Sequence, residues 1–125
     1  MSGRRTARRT ALFLLYQWDV TGQPLASLYE GEIDPFAREL AEAVAARAEE
    51  LDAKLTAASE GWPADRLGAI ERNVLRIGIY ELEAESVPME VAINEAVALA
   101  KRYASDEAGG LVNGILGRIA RERVA

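Results

Sequence analysis

The sequence predicts an all-α protein. Ala, Leu, Glu and Arg, all good helix formers, are abundant, and prolines number only four. Apolar residues recur at spacings of three and four, and no stretch sustains the alternation expected of a strand. Half of the 125 residues are hydrophobic, enough for the core of one domain or of two small subdomains that share a core.

The first helix is predicted from about Gly3 to Val20, ending near Thr21-Gly22. At about 100° per residue, Ala7, Ala11, Leu14 and Trp18 lie within roughly 60° of one another and form a core stripe. Arg5, Arg9, Leu12 and Tyr16 form a second stripe of the same spacing, about 160° away, which is expected to face outward with Arg4 and Arg8 flanking it. Pro24 starts a short helix over Leu25 to Tyr29, and Gly31 to Asp34 reads as a polar turn. Asp34-Pro35 is a helix start, with Asp as N-cap and Pro at the first position. The helix it opens is predicted to run to about Ser59 on the track Phe36, Leu40, Val44, Ala48, Leu51 and Leu55, with Gly61 ending it.

Trp62-Pro63 begins the next unit, and residues 63–69 read as a short helix or turn. The segment Ile70 to Glu83 is apolar nearly all round, as a central buried helix is. Gly78 in its interior costs about 1 kcal/mol relative to Ala, and close helix packing is the expected compensation. A fifth unit runs from about Pro88 to Tyr103. Ser105 caps a last helix, about Asp106 to Arg123, whose four glycines (Gly109, Gly110, Gly114 and Gly117) call for tight backbone packing or a bound partner.

Composition excludes several chemistries. Without cysteine there is no disulfide, thiolate metal site or thiol nucleophile, and without histidine the commonest general base and zinc ligand are missing. No apolar run approaches the roughly 20 residues that span a bilayer. The short apolar stretch Ala11 to Tyr16 lacks a cleavage pattern, so a cytoplasmic protein is expected. Charge is the positive clue. Arg4, Arg5, Arg8 and Arg9 give the first eighteen residues +4, while the whole chain carries −5 and the remainder −9. The N-terminus is therefore where a polyanion is attracted. Arginines at a helix N-terminus oppose the helix dipole by about 0.3–1 kcal/mol each, so four of them argue for service to a partner.

Several runs carry a family resemblance. Val91-Ala92-Ile93-Asn94-Glu95-Ala96-Val97-Ala98-Leu99-Ala100-Lys101, preceded by Pro88, resembles the signature stretch of the bacterial NusB family. Leu111-Val112-Asn113-Gly114-Ile115-Leu116 is similar to its second signature, FVNGVL. Residues Glu71 to Leu82 resemble its central helix, and Arg4-Arg5-Thr6-Ala7-Arg8 with Leu15-Tyr16 its arginine-rich opening and LY pair. The resemblance covers nearly the whole chain in order. It implies two small helical bundles packed together, about 1–61 and 62–125. It also implies a non-enzymatic transcription antitermination factor that binds boxA RNA of ribosomal RNA leaders with the ribosomal protein NusE, so that RNA polymerase resists termination. The chain departs from the family at Ala108 (often Ser), Leu111 (often Phe) and Gly117 (often Asp), and its segment Gln23 to Asp34 is short.

The expected site is an RNA surface, with no metal, cofactor or small-molecule substrate. Guanidinium groups hold phosphates and stack on bases, and Tyr16, about two turns beyond Arg9, offers a ring for a base. Lys101 extends the track. Glu71 falls, by the resemblance, where a carboxylate accepts from a base amino group. Leu111 replaces a stacking Phe, and Asn113 has two readings, contact with RNA or a partner, and helix packing through Gly114. Glu81 and Glu95 fall on core arcs, where carboxylates pair with arginines more often than they catalyse. Phe13 points away from the core and marks a homodimer seam or a protein-partner surface, or else packs on the second helix. Two further functions stand beside the first. One is the RNA-targeting domain of an RNA methyltransferase, although no cofactor-binding domain follows Ala125. The other is a homodimeric interaction protein whose arginine face is masked.

Overall fold

A computed structural model describes residues 3–60 and 63–124. Gly61 and Trp62, expected to end one helix and begin the next unit, lie outside the described residues. The order is α1 (Gly3–Thr21), a 3-10 turn (Leu25–Leu28), α2 (Pro35–Ala46), α3 (Ala48–Ala58), a 3-10 turn (Ala64–Arg66), α4 (Ala69–Ala84), α5 (Met89–Tyr103) and α6 (Asp106–Val124). Among the described residues there is no strand, and no helix is long and apolar enough to cross a membrane.

The caps follow the sequence. Asp34 Oδ1 accepts from the backbone N–H of Phe36 at 2.8 Å and of Ala37 at 3.3 Å, with Pro35 at the first helical position. Ser105 Oγ accepts from Ala108 N–H at 3.0 Å and starts α6. Pro88 precedes α5 with extended backbone.

α4 is the central element. It packs against α1, α2, α3, α5 and α6, and from Asn73 to Ile79 every residue is buried. Gly78 is what lets α6 approach it. A Cβ built there would lie 2.5 Å from Leu116 Cδ1, closer than real carbons come. The helix-propensity cost of Gly78 is thus offset by leucine packing in the core.

Two helix expectations are corrected. The single helix from Pro35 to Ser59 is two, broken at Arg47 (φ −111°, ψ 17°). Neither Gly nor Pro marks the break. Arg47 instead joins two elements, donating from Nη2 to Glu50 Oε2 at 2.6 Å and to Glu83 Oε1 of α4 at 2.5 Å, while its guanidinium lies over the Tyr80 ring. Lys54 donates to the same Glu83 carboxylate. Secondly, Leu12 does not face outward; it is fully buried. α1 is covered by α2 as well as by α4, so its buried arc is wider than one stripe. Trp18, placed in the core stripe, is only partly buried at the margin of the core.

A polar network fastens the far end of α1. Asp19 Oδ2 accepts from Arg72 Nε at 2.7 Å, Asn73 Nδ2 at 3.0 Å and Arg76 Nη1 at 3.1 Å. Arg76 also grips Asp52 of α3 through two bonds of 2.8 and 2.7 Å. Burial opposes the charged Asp19 carboxylate, but the Arg72 hydrogen bond, the Arg76 charge and the Asn73 amide outweigh it and hold the carboxyl below the usual aspartate range. The interior cations of α4 are therefore accounted for by α1 and α3.

Candidate nucleic-acid interface

The four N-terminal arginines separate into distinct environments. Arg4 is exposed, with its guanidinium 4.6 Å from the centroid of the Phe36 ring. Arg5 is exposed and makes a bidentate pair with Glu95 of α5, Nε to Oε1 at 3.1 Å and Nη2 to Oε2 at 2.7 Å. Arg8 does not flank an outward stripe. It is 4% exposed, and its Nε donates to both oxygens of Glu81 at 2.9 and 3.0 Å. The expected RNA contact by Arg8 is thus corrected, because the side chain lies inside the α1–α4 interface. Its partner Glu81, buried near the C-terminal end of α4, needs a compensating charge, and Arg8 supplies it. Arg9 is partly exposed and has no ion pair or hydrogen bond among the described residues.

α1 and α5 run side by side, since Arg5 meets Glu95 and Phe13 meets Tyr103. Between them lies a groove of about 290 Å³ lined by Arg5, Thr6, Arg9, Glu95, Ala98, Leu99, Arg102 and Tyr103. Three arginines against one glutamate give it a net +2 in a chain of −5. Glu95 stays ionised. The Arg5 hydrogen bond, opposed by partial burial and helped by the charges of Arg5 and Arg8, holds its carboxyl below the usual range. Phe13 meets Tyr103 edge to face, with centroids 5.0 Å apart at 82°, and Arg102 lies over the Tyr103 ring at 5.5 Å. The ring contact of Phe13 is thus with α5 and not with the second helix, a correction to that expectation, and the residue stays 40% exposed. Tyr16 is also exposed, further along α1.

The other expected residues sit elsewhere. Glu71 and Leu111 come together in a second, wider groove of about 780 Å³ between the start of α4, the end of α3 and α6, with Arg66, Arg118 and Arg121 on its walls. Glu71 folds back over Gly68 at the α4 N-terminus, where the helix dipole favours a carboxylate. Gly110 and Gly114 line this groove with nothing within 4 Å of a built Cβ, so packing through Gly114 is corrected; the packing glycines are Gly78 and Gly109. Gly109 makes room for the Lys101 stem, whose Cγ would lie 2.5 Å from a built Cβ, and Lys101 lines neither groove. Asn113 is exposed and lines neither groove. Sequence reasoning missed Arg102 and Tyr103 as parts of the site. The readable signal was the i, i+3 or i+4, i+7 spacing of Glu95, Ala98, Leu99 and Arg102, one face of α5.

The family model described as the NusB family matches residues 5–121. The chain belongs to the NusB family. A NusB relative, the transcription antitermination protein NusB of Rubrobacter xylanophilus, is 47% identical over 120 residues, which cover 90% of this chain and 86% of that protein. Among NusB structures, that of T. maritima NusB superposes with a TM-score of 0.85 at 33% identity, covering 95% of this chain and 91% of the other. A crystal structure of antitermination factors NusB and NusE in complex with dsRNA contains a chain that superposes with a TM-score of 0.84 at 31% identity, over 98% of each. The all-α NusB fold is thus common to this chain and both solved structures.

Proposed function

We propose that this protein is an RNA-binding transcription antitermination factor. It binds boxA-type leader RNA of ribosomal RNA operons together with ribosomal protein NusE and helps RNA polymerase resist termination. The observation that carries the RNA half of this reading is the α1–α5 groove, where Arg9 and Arg102 have no counter-ion among the described residues and stand beside the half-buried Tyr103 ring and the exposed Phe13. The NusE half rests on family membership and on the likeness to a NusB chain solved with NusE and dsRNA. Phosphates are held by Arg5, Arg9 and Arg102, with Arg4 and Lys101 adding to the field. Bases stack on Tyr16 and on the Tyr103–Phe13 pair. Glu71 and Leu111 form a second contact, reached by RNA that continues along α6. No catalytic step belongs to this reading, because the interior carboxylates Glu81, Asp19 and Asp52 are each engaged by arginine.

A net-acidic protein with so few free cations has modest intrinsic affinity and needs a partner to add contacts. The test is an anisotropy titration of boxA RNA at two salt concentrations, with and without NusE. The expected result is weak, salt-sensitive binding that NusE tightens at least about tenfold. Equal affinity for boxA and an unrelated RNA, unchanged by NusE, would overturn the reading.

A further inference from the structure

Among the described residues Glu95 is the one carboxylate on the wall of the α1–α5 groove, and it occupies the Nε–Nη2 edge of Arg5, one of the two edges on which a guanidinium can hold a phosphate. Both its oxygens accept from Arg5, at 3.1 and 2.7 Å. A guanidinium presents the same planar fork to carboxylate and to phosphate, so the two ligands exclude each other on that edge. The pair is lopsided: the Arg5 side chain is 74% exposed, Glu95 only 16%. Arg5 can swing outward to a ligand, while Glu95 stays in the wall. The carboxylate left behind is not stranded, because Arg8 Nη1 lies 3.9 Å from Glu95 Oε1. A second cation thus stands beside Glu95.

We infer that Glu95 is an intramolecular competitor for Arg5, so that RNA phosphate displaces it and Glu95 sets the RNA affinity of the site. This rests on the RNA-binding reading above. Arg8 serves as a positioning residue that makes the exchange cheap. Removing the carboxylate without changing its shape frees Arg5 in advance. The gain is the cost of breaking a largely exposed ion pair, at most about fivefold in affinity. The salt dependence changes too. In the native protein a displaced Glu95, neutralised only in part by Arg8 at 3.9 Å, draws the rest of its positive charge from solution, which offsets part of one released counterion. In Glu95→Gln it does not, so the slope of log affinity against log salt steepens, by less than about 0.7.

The test is a titration of single-stranded leader-type RNA with four full-length proteins, native, Glu95→Gln, Arg5→Gln and the double variant, at two salt concentrations. The inference expects tighter binding and a steeper slope in Glu95→Gln, and no such gain in the Arg5→Gln background. Glu95→Asp, which keeps the charge and withdraws it by one methylene, gives a smaller gain of the same sign and guards against a misfolded amide variant. Native protein that binds RNA while Glu95→Gln binds equally or more weakly overturns the inference alone. A gain of equal size without Arg5 also overturns it, by showing a net-charge effect only. Failure of all four proteins to bind at the lower salt overturns the RNA reading and this inference together.

Discussion

Replacing Arg8 by Ala tests whether this arginine belongs to the core or to the RNA surface. The Arg8 and Glu81 side chains are 5% and 3% exposed, and two hydrogen bonds of 2.9 and 3.0 Å join them. Arg8→Ala strips a buried carboxylate of its cation, a loss that costs about 3–5 kcal/mol. That is a large share of the roughly 5–15 kcal/mol that holds a domain together. With a urea slope of about 2 kcal/mol per molar, the unfolding midpoint falls by about 1.5–2.5 M. Arg9→Ala, which breaks no pair among the described residues, moves it by no more than about 0.3 M, within the surface range of about ±0.5 kcal/mol. The double change Arg8→Met with Glu81→Leu, which removes both charges and keeps the volume, recovers most of the loss. The assay is urea denaturation followed by far-ultraviolet circular dichroism. An Arg8→Ala protein with an unchanged midpoint but impaired RNA binding would refute the burial argument and return Arg8 to the surface.

Other predictions follow from the same geometry. Gly78→Ala forces a methyl against Leu116 and lowers stability by about 1–3 kcal/mol despite the better helix propensity, whereas Gly114→Ala meets open space and raises it by about 0.5–1 kcal/mol; thermal melts separate the two. Asp19 titrates below its ordinary value in the folded state, so its stabilisation is complete above about pH 4 and is lost as pH falls through the lower folded value. Asp19→Asn, which cannot titrate, flattens that acid limb of a urea-midpoint profile. Leu111→Phe puts a ring in the groove beside Glu71 and tightens RNA binding by about 1–3 kcal/mol if a base stacks there, read by anisotropy against an unchanged melting temperature.

Much of the fold was legible because local signals agreed with tertiary demand. Asp34-Pro35 and Ser105 announced their caps, the all-round apolar pattern of α4 announced its central place, and Gly78 announced a close approach. What was hidden depends on partners far away in sequence. The break at Arg47 lies within an alanine-rich run free of breakers, at a residue whose partner Glu83 is thirty-six residues on. Leu12 looked solvent-facing because a stripe argument assumes one covered side, and α1 has more. In the site, the charge cluster was visible but its division was not. Arg8 goes inward to Glu81, Arg5 to Glu95, and among the described residues only Arg9 of those three keeps an unpaired charge. The presence of Glu81 in an apolar helix was the available hint that one arginine had to be spent on it. Arg102 and Tyr103 were hidden because a cation in the last turn of a helix is already explained by the dipole.

The central claim is that the α1–α5 groove holds RNA through Arg9 and Arg102. Its most direct test is the affinity of the Arg9→Glu/Arg102→Glu protein for boxA RNA across a series of salt concentrations, with helical content checked by circular dichroism. The account predicts a loss of at least about tenfold at low salt, and a slope shallower by roughly 0.7 for each phosphate contact removed. Affinity within about twofold of the native protein, with an unchanged slope, would contradict it.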